Sequence, residues 1–408
     1  MAYYYLFPEN DATMYSHPDR VNMNSGGDEI LEIVKERGVT DQYYYPSRIA
    51  IKFKEEEIAS VISNTIGGTN FLTSKVNLQL TSVQAKNLTS TQLLQVYAIS
   101  QSWNEGTNKY LNKPVASNGI TWKFRDNSIS ATAWNTSSLG GIGTAAIKEG
   151  FRIDNYESAY GTTGSIISSS NNGGPIFPGG GVWYTGSGFQ ATQQFLAGDI
   201  LDTNFNVTDI VAKFSQSYFN DEIYPTGISN QGFLIKQIDS VESNVSTSFG
   251  ELQYFSQDTH TIYPPKLVFK WDDSINNSTL STAFSGSLNV SLYNNKKEYN
   301  QNDEALFRFH VRDKYPTRTF STTSNYINNY KFKTTDKSLY SIRDAHSEEE
   351  VIPFDTDYTR LSHDNESSYF KLFMKGLQPE RYYRILIKHI NNDGITIYDD
   401  DYFFKVVR

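Results

Sequence analysis

Cysteine is absent from the 408 residues. That excludes disulfide scaffolds, cysteine-type zinc sites and thiol catalysis together, and it removes redox compartment as a clue. Positive charge is in short supply: 36 Lys and Arg stand against 45 Asp and Glu, giving a net charge of −9. A dedicated nucleic-acid binder would show a basic face, so no nucleic-acid partner is expected. No apolar run approaches the roughly 18 residues of a membrane helix, and mean hydropathy is −0.50, so no membrane partner is expected either. Met1 to Leu6 carries no basic n-region, which argues against a secretory signal. The histidines are few (His17, His260, His310, His346, His363 and His389), and no two sit at i, i+4 or in a metal-ligand cluster. No metal or other cofactor is expected.

What the chain has in quantity is aromatic side chains: 28 Tyr, 25 Phe and 5 Trp, 14% of the residues. Rings suit pleated, half-buried surfaces better than helices. Strand signals follow suit as short β-branched or aromatic runs bounded by Asn, Gly, Ser, Asp or Pro. Ile49, Ile51 and Phe53 alternate with polar or small residues, and Val76–Leu80 and Gln95–Ile99 alternate cleanly, a period that buries one face and wets the other. Gly232–Lys236 and Lys266–Trp271 read as more fully buried strands. Asp28–Arg37 fits either a helix or a strand and is taken as strand from its surroundings. One internal helix is expected, Ile210–Phe214, capped by Thr208 or Asp209.

From about residue 135 to 188 the composition turns to Asn, Ser, Thr and Gly, including Pro178-Gly179-Gly180-Gly181. Such a stretch buries little core of its own because glycine backbone entropy goes uncompensated. It reads as a long surface excursion, with Trp134, Trp183 and Tyr184 anchoring its ends. A phosphate cradle is rejected: no Lys-Ser/Thr follows the glycines and no strand–turn–helix frame surrounds them. A polar break near Asp272–Ser278 precedes a second series of strands: Leu288–Leu292, Ala305–Val311, Tyr369–Met374, Tyr382–Ile387 and Tyr402–Val407. Regular strand spacing is the signature of a sandwich. Gly376-Leu377-Gln378-Pro379 before Tyr382-Tyr383 resembles the corner that precedes a late strand in fibronectin-like folds. Asn391-Asn392-Asp393-Gly394 reads as a hairpin turn, so Ile385–His389 should pair with Ile395–Tyr398. The expected fold is all-β: a jelly-roll-like sandwich over residues 1–272, with its insertion near 135–188, then an immunoglobulin-like sandwich over 285–408.

Several segments occur in an order that resembles a known module. They are Asp11-Ala12-Thr13, Arg48–Phe53, Ile99-Ser100-Gln101-Ser102-Trp103-Asn104-Glu105-Gly106-Thr107, Asn206–Val211, Asn230–Ile235, Phe255-Ser256-Gln257-Asp258 and Pro264-Pro265-Lys266-Leu267. Together they resemble the DNRLRE domain, a β-sandwich module of bacterial surface and secreted proteins. Phe255-Ser256-Gln257-Asp258 departs from its usual Ser-Arg-Glu, and the excursion is longer than the module needs. The whole chain, with Pro379-Glu380-Arg381-Tyr382-Tyr383, is similar to structural proteins of contractile-tailed cyanophages. That resemblance implies a virion component of the tail or baseplate.

Catalytic patterns are thin. His260, near Asp258, could serve as a base, but a loop or strand-edge histidine beside a polar neighbour is the better reading, since a base also needs a positioned substrate. His310 falls on the polar face of an alternating strand. Tyr184-Thr185-Gly186-Ser187-Gly188 lacks the elbow frame of a serine hydrolase. Trp103 with Asn104 and Glu105 invites sugar stacking, as does Trp183, against the plainer reading of core tryptophans. Glu55-Glu56-Glu57, Glu348-Glu349-Glu350 and Asp399-Asp400-Asp401 read as solvated turns or helix starts, without the spacing of a calcium hand. The runs Tyr3-Tyr4-Tyr5 and Tyr43-Tyr44-Tyr45 each send alternate rings to opposite faces, where exposed tyrosine favours interfaces. The candidate contacts are therefore Tyr3, Tyr5, Tyr43, Tyr45, Trp103 and Trp183. The expected function is non-enzymatic: a virion structural protein, assembled in the host cytoplasm, docking to other virion proteins. A carbohydrate-binding adhesin with host glycans as partners is the alternative.

Overall fold

The computed structural model describes residues 2–40, 42–86, 88, 91–110, 118–128, 130–134, 152–155, 167–168, 175–176, 179–185, 188–196, 201–214, 228–242, 244, 246–282, 288–315, 329–332, 337–391 and 394–408. Strands take 48% and helices 10% of the chain, and the strands form multiple antiparallel sheets. The fold is all-β. It divides into two compact units, one of Leu6–Thr69 and Lys75–Val268, the other of Met1–Tyr5, Asn70–Ser74 and Phe269–Arg408. The second is discontinuous, combining the first residues of the chain with its C-terminal third.

In the first unit the largest sheet runs Gln190–Phe195, Gln92–Ala98, Phe233–Gln237, Tyr44–Lys52, Asn10–Tyr15, with Lys35–Arg37 also paired to Tyr44–Lys52. A three-stranded sheet orders Ile30–Ile33, Glu251–Phe255 and Ser82–Lys86. Residues 28–37 are thus two strands, as their setting suggested. The strand Tyr44–Lys52 departs from simple alternation. Ile49 and Ile51 are buried on one face, but Arg48 and Ala50 are buried on the other. The reason is a tryptophan layer: Trp103, Trp122, Trp134 and Trp183 form one buried cluster with Ala12, Met14, Ala50, Tyr97 and Leu234. Trp134 and Trp183, at the ends of the excursion, pack there, whereas most of residues 135–178 lie outside the described residues. The helix expected at 210 begins at Thr208, not after it. Its first N–H is satisfied by Asn206, whose Oδ1 accepts from the Thr208 amide at 3.2 Å, while Thr208 Oγ1 accepts from the Val76 amide. Glu55, Glu56 and Glu57 do form the first turn of a short helix, Glu55–Ser60, where the positive end of the helix dipole favours carboxylates.

In the second unit one sheet orders Leu288–Leu292, Glu304–Asp313, Ser368–Phe373 and Ser362–His363. The other orders Glu298–Asn300, Gly394–Val407, Arg381–Asn391, Lys337–Asp344 and Glu350–Ile352. Glu298–Asn300 pairs parallel with Gly394–Val407, and the other ladders of these two sheets are antiparallel. The strand Glu304–Asp313 buries Ala305, Phe307, Phe309 and Val311 and leaves Leu306, Arg308, His310 and Arg312 half-buried. The inner faces meet through rings: Tyr340 stacks on Phe370 at 4.0 Å, and Phe307 lies 5.3 Å from Phe404. Two sheets packed face to face make this unit a β-sandwich. Tyr383 closes the corner after Ser368–Phe373 by donating its hydroxyl to the Gln378 carbonyl at 3.0 Å.

The expected hairpin pairs Ile387 with Tyr398, Lys388 with Ile397, and Asn391 with Gly394, while residues 392–393 lie outside the described residues. Asp399-Asp400-Asp401 corrects the expectation of a turn or helix start. All three lie inside the strand Gly394–Val407, where the register jumps from Ile385↔Tyr402 to Ile387↔Tyr398. Three aspartates therefore oppose Leu386 alone, an enlarged bulge of the special type, and Asp401 takes φ +54.

Candidate functional site

The strand Tyr44–Lys52 carries Arg48 into the tryptophan layer of the first unit. Its guanidinium stands 4.9 Å from the ring centres of both Trp122 and Trp183. It makes a two-point contact with Glu242, Nε to Oε1 at 3.0 Å and Nη2 to Oε2 at 2.7 Å. Its remaining Nη1 donates to the Gly180 carbonyl at 2.8 Å. Lys236, from Phe233–Gln237, reaches the same Glu242 at 3.2 Å and Asp239 at 2.6 Å, and its ammonium also faces Trp183. Arg48, Lys236 and Glu242 are all fully buried. Such charges persist in a dry core only when their hydrogen bonds are filled, and here they are.

The glycines of the excursion matter at this point. A Cβ on Gly180 would lie 2.7 Å from the Trp122 ring, and Gly180 holds φ +75. Only glycine lets the backbone lie on that indole and aim its carbonyl at Arg48. The run read as surface loop thus contributes a wall of the core.

A second polar cluster joins segments distant in sequence. Glu105 accepts from the Asp11 amide at 2.7 Å, from Asn10 at 3.2 Å and from the Gln257 side-chain amide. The Gln257 backbone amide donates to Asp11 Oδ2 at 2.7 Å, while Asp11 Oδ1 is buried with no hydrogen-bond partner. Burial holds the Asp11 carboxyl well above the ordinary carboxylate range, with the nearby Glu105 charge acting in the same direction. Burial raises Glu105 too, opposed by its donors. Lys35 is a further buried charge: desolvation pushes it down to about 8 while Glu242 pulls it upward, and its ammonium donates to the carbonyls of Val241 and Asn244.

Of the candidate contacts, Tyr43 alone keeps partial exposure; Tyr3, Tyr5, Tyr45, Trp103 and Trp183 are buried. Tyr3 donates to Asp355 at 3.4 Å and Tyr5 to the Val351 carbonyl at 3.0 Å, both inside the second unit. Tyr45 packs edge-on against His17. Trp103 donates its indole N–H to the Gln231 carbonyl at 2.8 Å, so its ring is core and Glu105 beside it is a structural acceptor. His260 is exposed, 3.7 Å from Glu29, and His310 stacks on Tyr293 at 4.0 Å.

The arrangement around Arg48 and Glu105 can hold segments together; Arg48, Lys236 and Glu242 are closed off from solvent, and Glu105 is half-buried. Among the described residues no three His, Asp or Glu side chains converge as a metal site, and no helix is long and apolar enough to cross a membrane. Arg48, Lys236 and Glu242 escaped the reading of the sequence as a group. A lysine ending the apolar run Phe233-Leu234-Ile235, with carboxylates at 239 and 242, was the available signal. The chain matches none of the protein-family models and none of the curated proteins with which it was compared.

Proposed function

We propose that this chain is a non-enzymatic structural protein of a phage virion, of the tail or baseplate, whose role is docking to neighbouring virion proteins. The observation that carries the non-enzymatic part is the pairing of the fully buried Arg48 and Lys236 with Glu242. Arg48, Lys236 and Glu242 satisfy one another, and Glu105 is spent on Asp11, Asn10 and Gln257. The DNRLRE-like reading of the first unit gains support from the same cluster. Asp11, Glu105 and Gln257 come from three segments of the resemblance and meet in one hydrogen-bonded group. The immunoglobulin-like reading of the second unit is supported by the parallel pairing of Glu298–Asn300 with the last strand and by the Tyr383 corner.

Light scattering on the isolated chain, then mixing with disrupted particles of the encoding phage, tests the docking role. A stable species that binds particle fragments is expected. Absence of the chain from a peptide census of purified particles would sink the virion reading, and a chain that ignores the fragments but binds a glycan array would replace docking with adhesion.

A further inference from the structure

In the second unit, among the described residues, the strand Gly394–Val407 is paired on both sides only at its end. Glu298–Asn300 covers Lys405–Val407, and the Asn295 side chain donates to the Phe403 carbonyl at 2.7 Å. From Gly394 to Tyr402 the strand pairs with Arg381–Asn391 on one side, and among the described residues no strand lies on the other. Open edges invite pairing with another chain, and proteins usually shorten, cover or charge them.

The side chains along this edge are of two kinds. Ile395 and Ile397 are 63% and 52% exposed, an apolar pair on one face of the hairpin tip. The acidic bulge follows. Arg384 is shared by Glu348, Asp399 at 3.5 Å and Asp401 at 3.9 Å, and Asp400 adds a further exposed carboxylate. One guanidinium among these groups leaves the bulge anionic. A second copy laid along this edge would bring like charges together, whereas cations there would be drawn in.

We propose that Gly394–Tyr402 is a strand-addition site for an extended segment of a partner protein that alternates apolar with basic side chains. Its backbone would extend the ladder along Gly394–Tyr398, its apolar residues would cover Ile395 and Ile397, and its lysines or arginines would meet the bulged Asp399–Asp401. The inference deepens the docking reading and rests on it.

The test uses the full chain and two labelled peptides of about ten residues, the length of a long strand, one alternating Val with Lys and one alternating Val with Glu. The Val–Lys peptide should bind and weaken as salt rises. Asp400→Lys and Ile397→Lys should each weaken it about tenfold or more, with the unfolding temperature unchanged to show that the hairpin persists. Equal binding of the Val–Glu peptide, no binding of Val–Lys, or undiminished binding by both folded variants would overturn the site. Particle fragments separate the two ideas. Fragments held equally by the intact chain and by Asp400→Lys refute the edge and leave docking standing; fragments held by neither refute docking itself.

Discussion

Arg48 shows how a residue's role depends on the layer that covers it. An alternating strand with one charged position normally wets that position, and here tryptophans cover it instead. Removing one partner of a buried, hydrogen-bonded ion pair typically costs about 3–5 kcal/mol. Arg48→Ala should therefore lower stability by that order in urea unfolding, since among the described residues Glu242 would keep only the Lys236 ion pair. Arg48→Lys should also be destabilising, because an ammonium cannot reproduce the two-point contact to Glu242 and the bond to Gly180 together. Asp11 carries a different signature. It binds its proton more tightly in the folded chain than in the unfolded one, so its stabilising contribution is full at acid pH and declines as pH climbs from the ordinary carboxylate range toward the raised value. Asp11→Asn should gain on the native chain as pH climbs above about 4, read as the difference in urea midpoint. A difference that does not change with pH would refute it. Gln257→Arg would set a cation against Asp11 and Glu105 and should flatten the native pH dependence. These residues were visible singly in the sequence. Their convergence was not, because Asp11, Glu105 and Gln257 lie on separate segments that only tertiary folding brings into contact.

Strands whose pattern is local were legible, and those whose environment is not local were misjudged. Glu304–Asp313 alternates as read because one face meets Phe370 and Phe404 while the other meets water. The Asp-Gly hairpin registers as expected because a short turn dictates its own pairing. Asp399–Asp401 misled because three like charges in a row usually mark a solvated end, whereas a bulge accommodates them in mid-strand by withdrawing them from the ladder. The glycine run at 179–181 misled in the opposite sense: low bulk was read as exposure when it served close approach to Trp122. Gly180→Ala should thus be among the most damaging small substitutions in the chain, costing about 3 kcal/mol or more from clash and positive φ combined, measured as a lowered melting temperature. In the other unit Tyr383→Phe should cost about 0.5–1.5 kcal/mol, the net worth of one hydrogen bond, leaving the Phe404 stacking in place.

At the scale of the molecule, the all-β class followed from aromatic content and strand spacing. The makeup of the second unit did not, because nothing in Met1–Tyr5 names a partner hundreds of residues away. Tyr3 and Tyr5 are buried there, and Tyr5 lies so close to Gly376 that a side chain at that position would strike its ring. A fragment starting at Phe269 should unfold at a clearly lower temperature than the same unit in the full chain, and a peptide of residues 1–6 added in excess should recover part of the loss. A fragment as stable as the full-chain unit would show that the strand is dispensable. The discontinuity also sets an order of events during synthesis. Tyr3 and Tyr5 leave the ribosome hundreds of residues ahead of Val351, Asp355 and Gly376, the residues they pack against. At about 5–20 residues per second that delay is on the order of tens of seconds, during which the two rings lack their burial site and are open to capture by a chaperone or a neighbouring nascent chain.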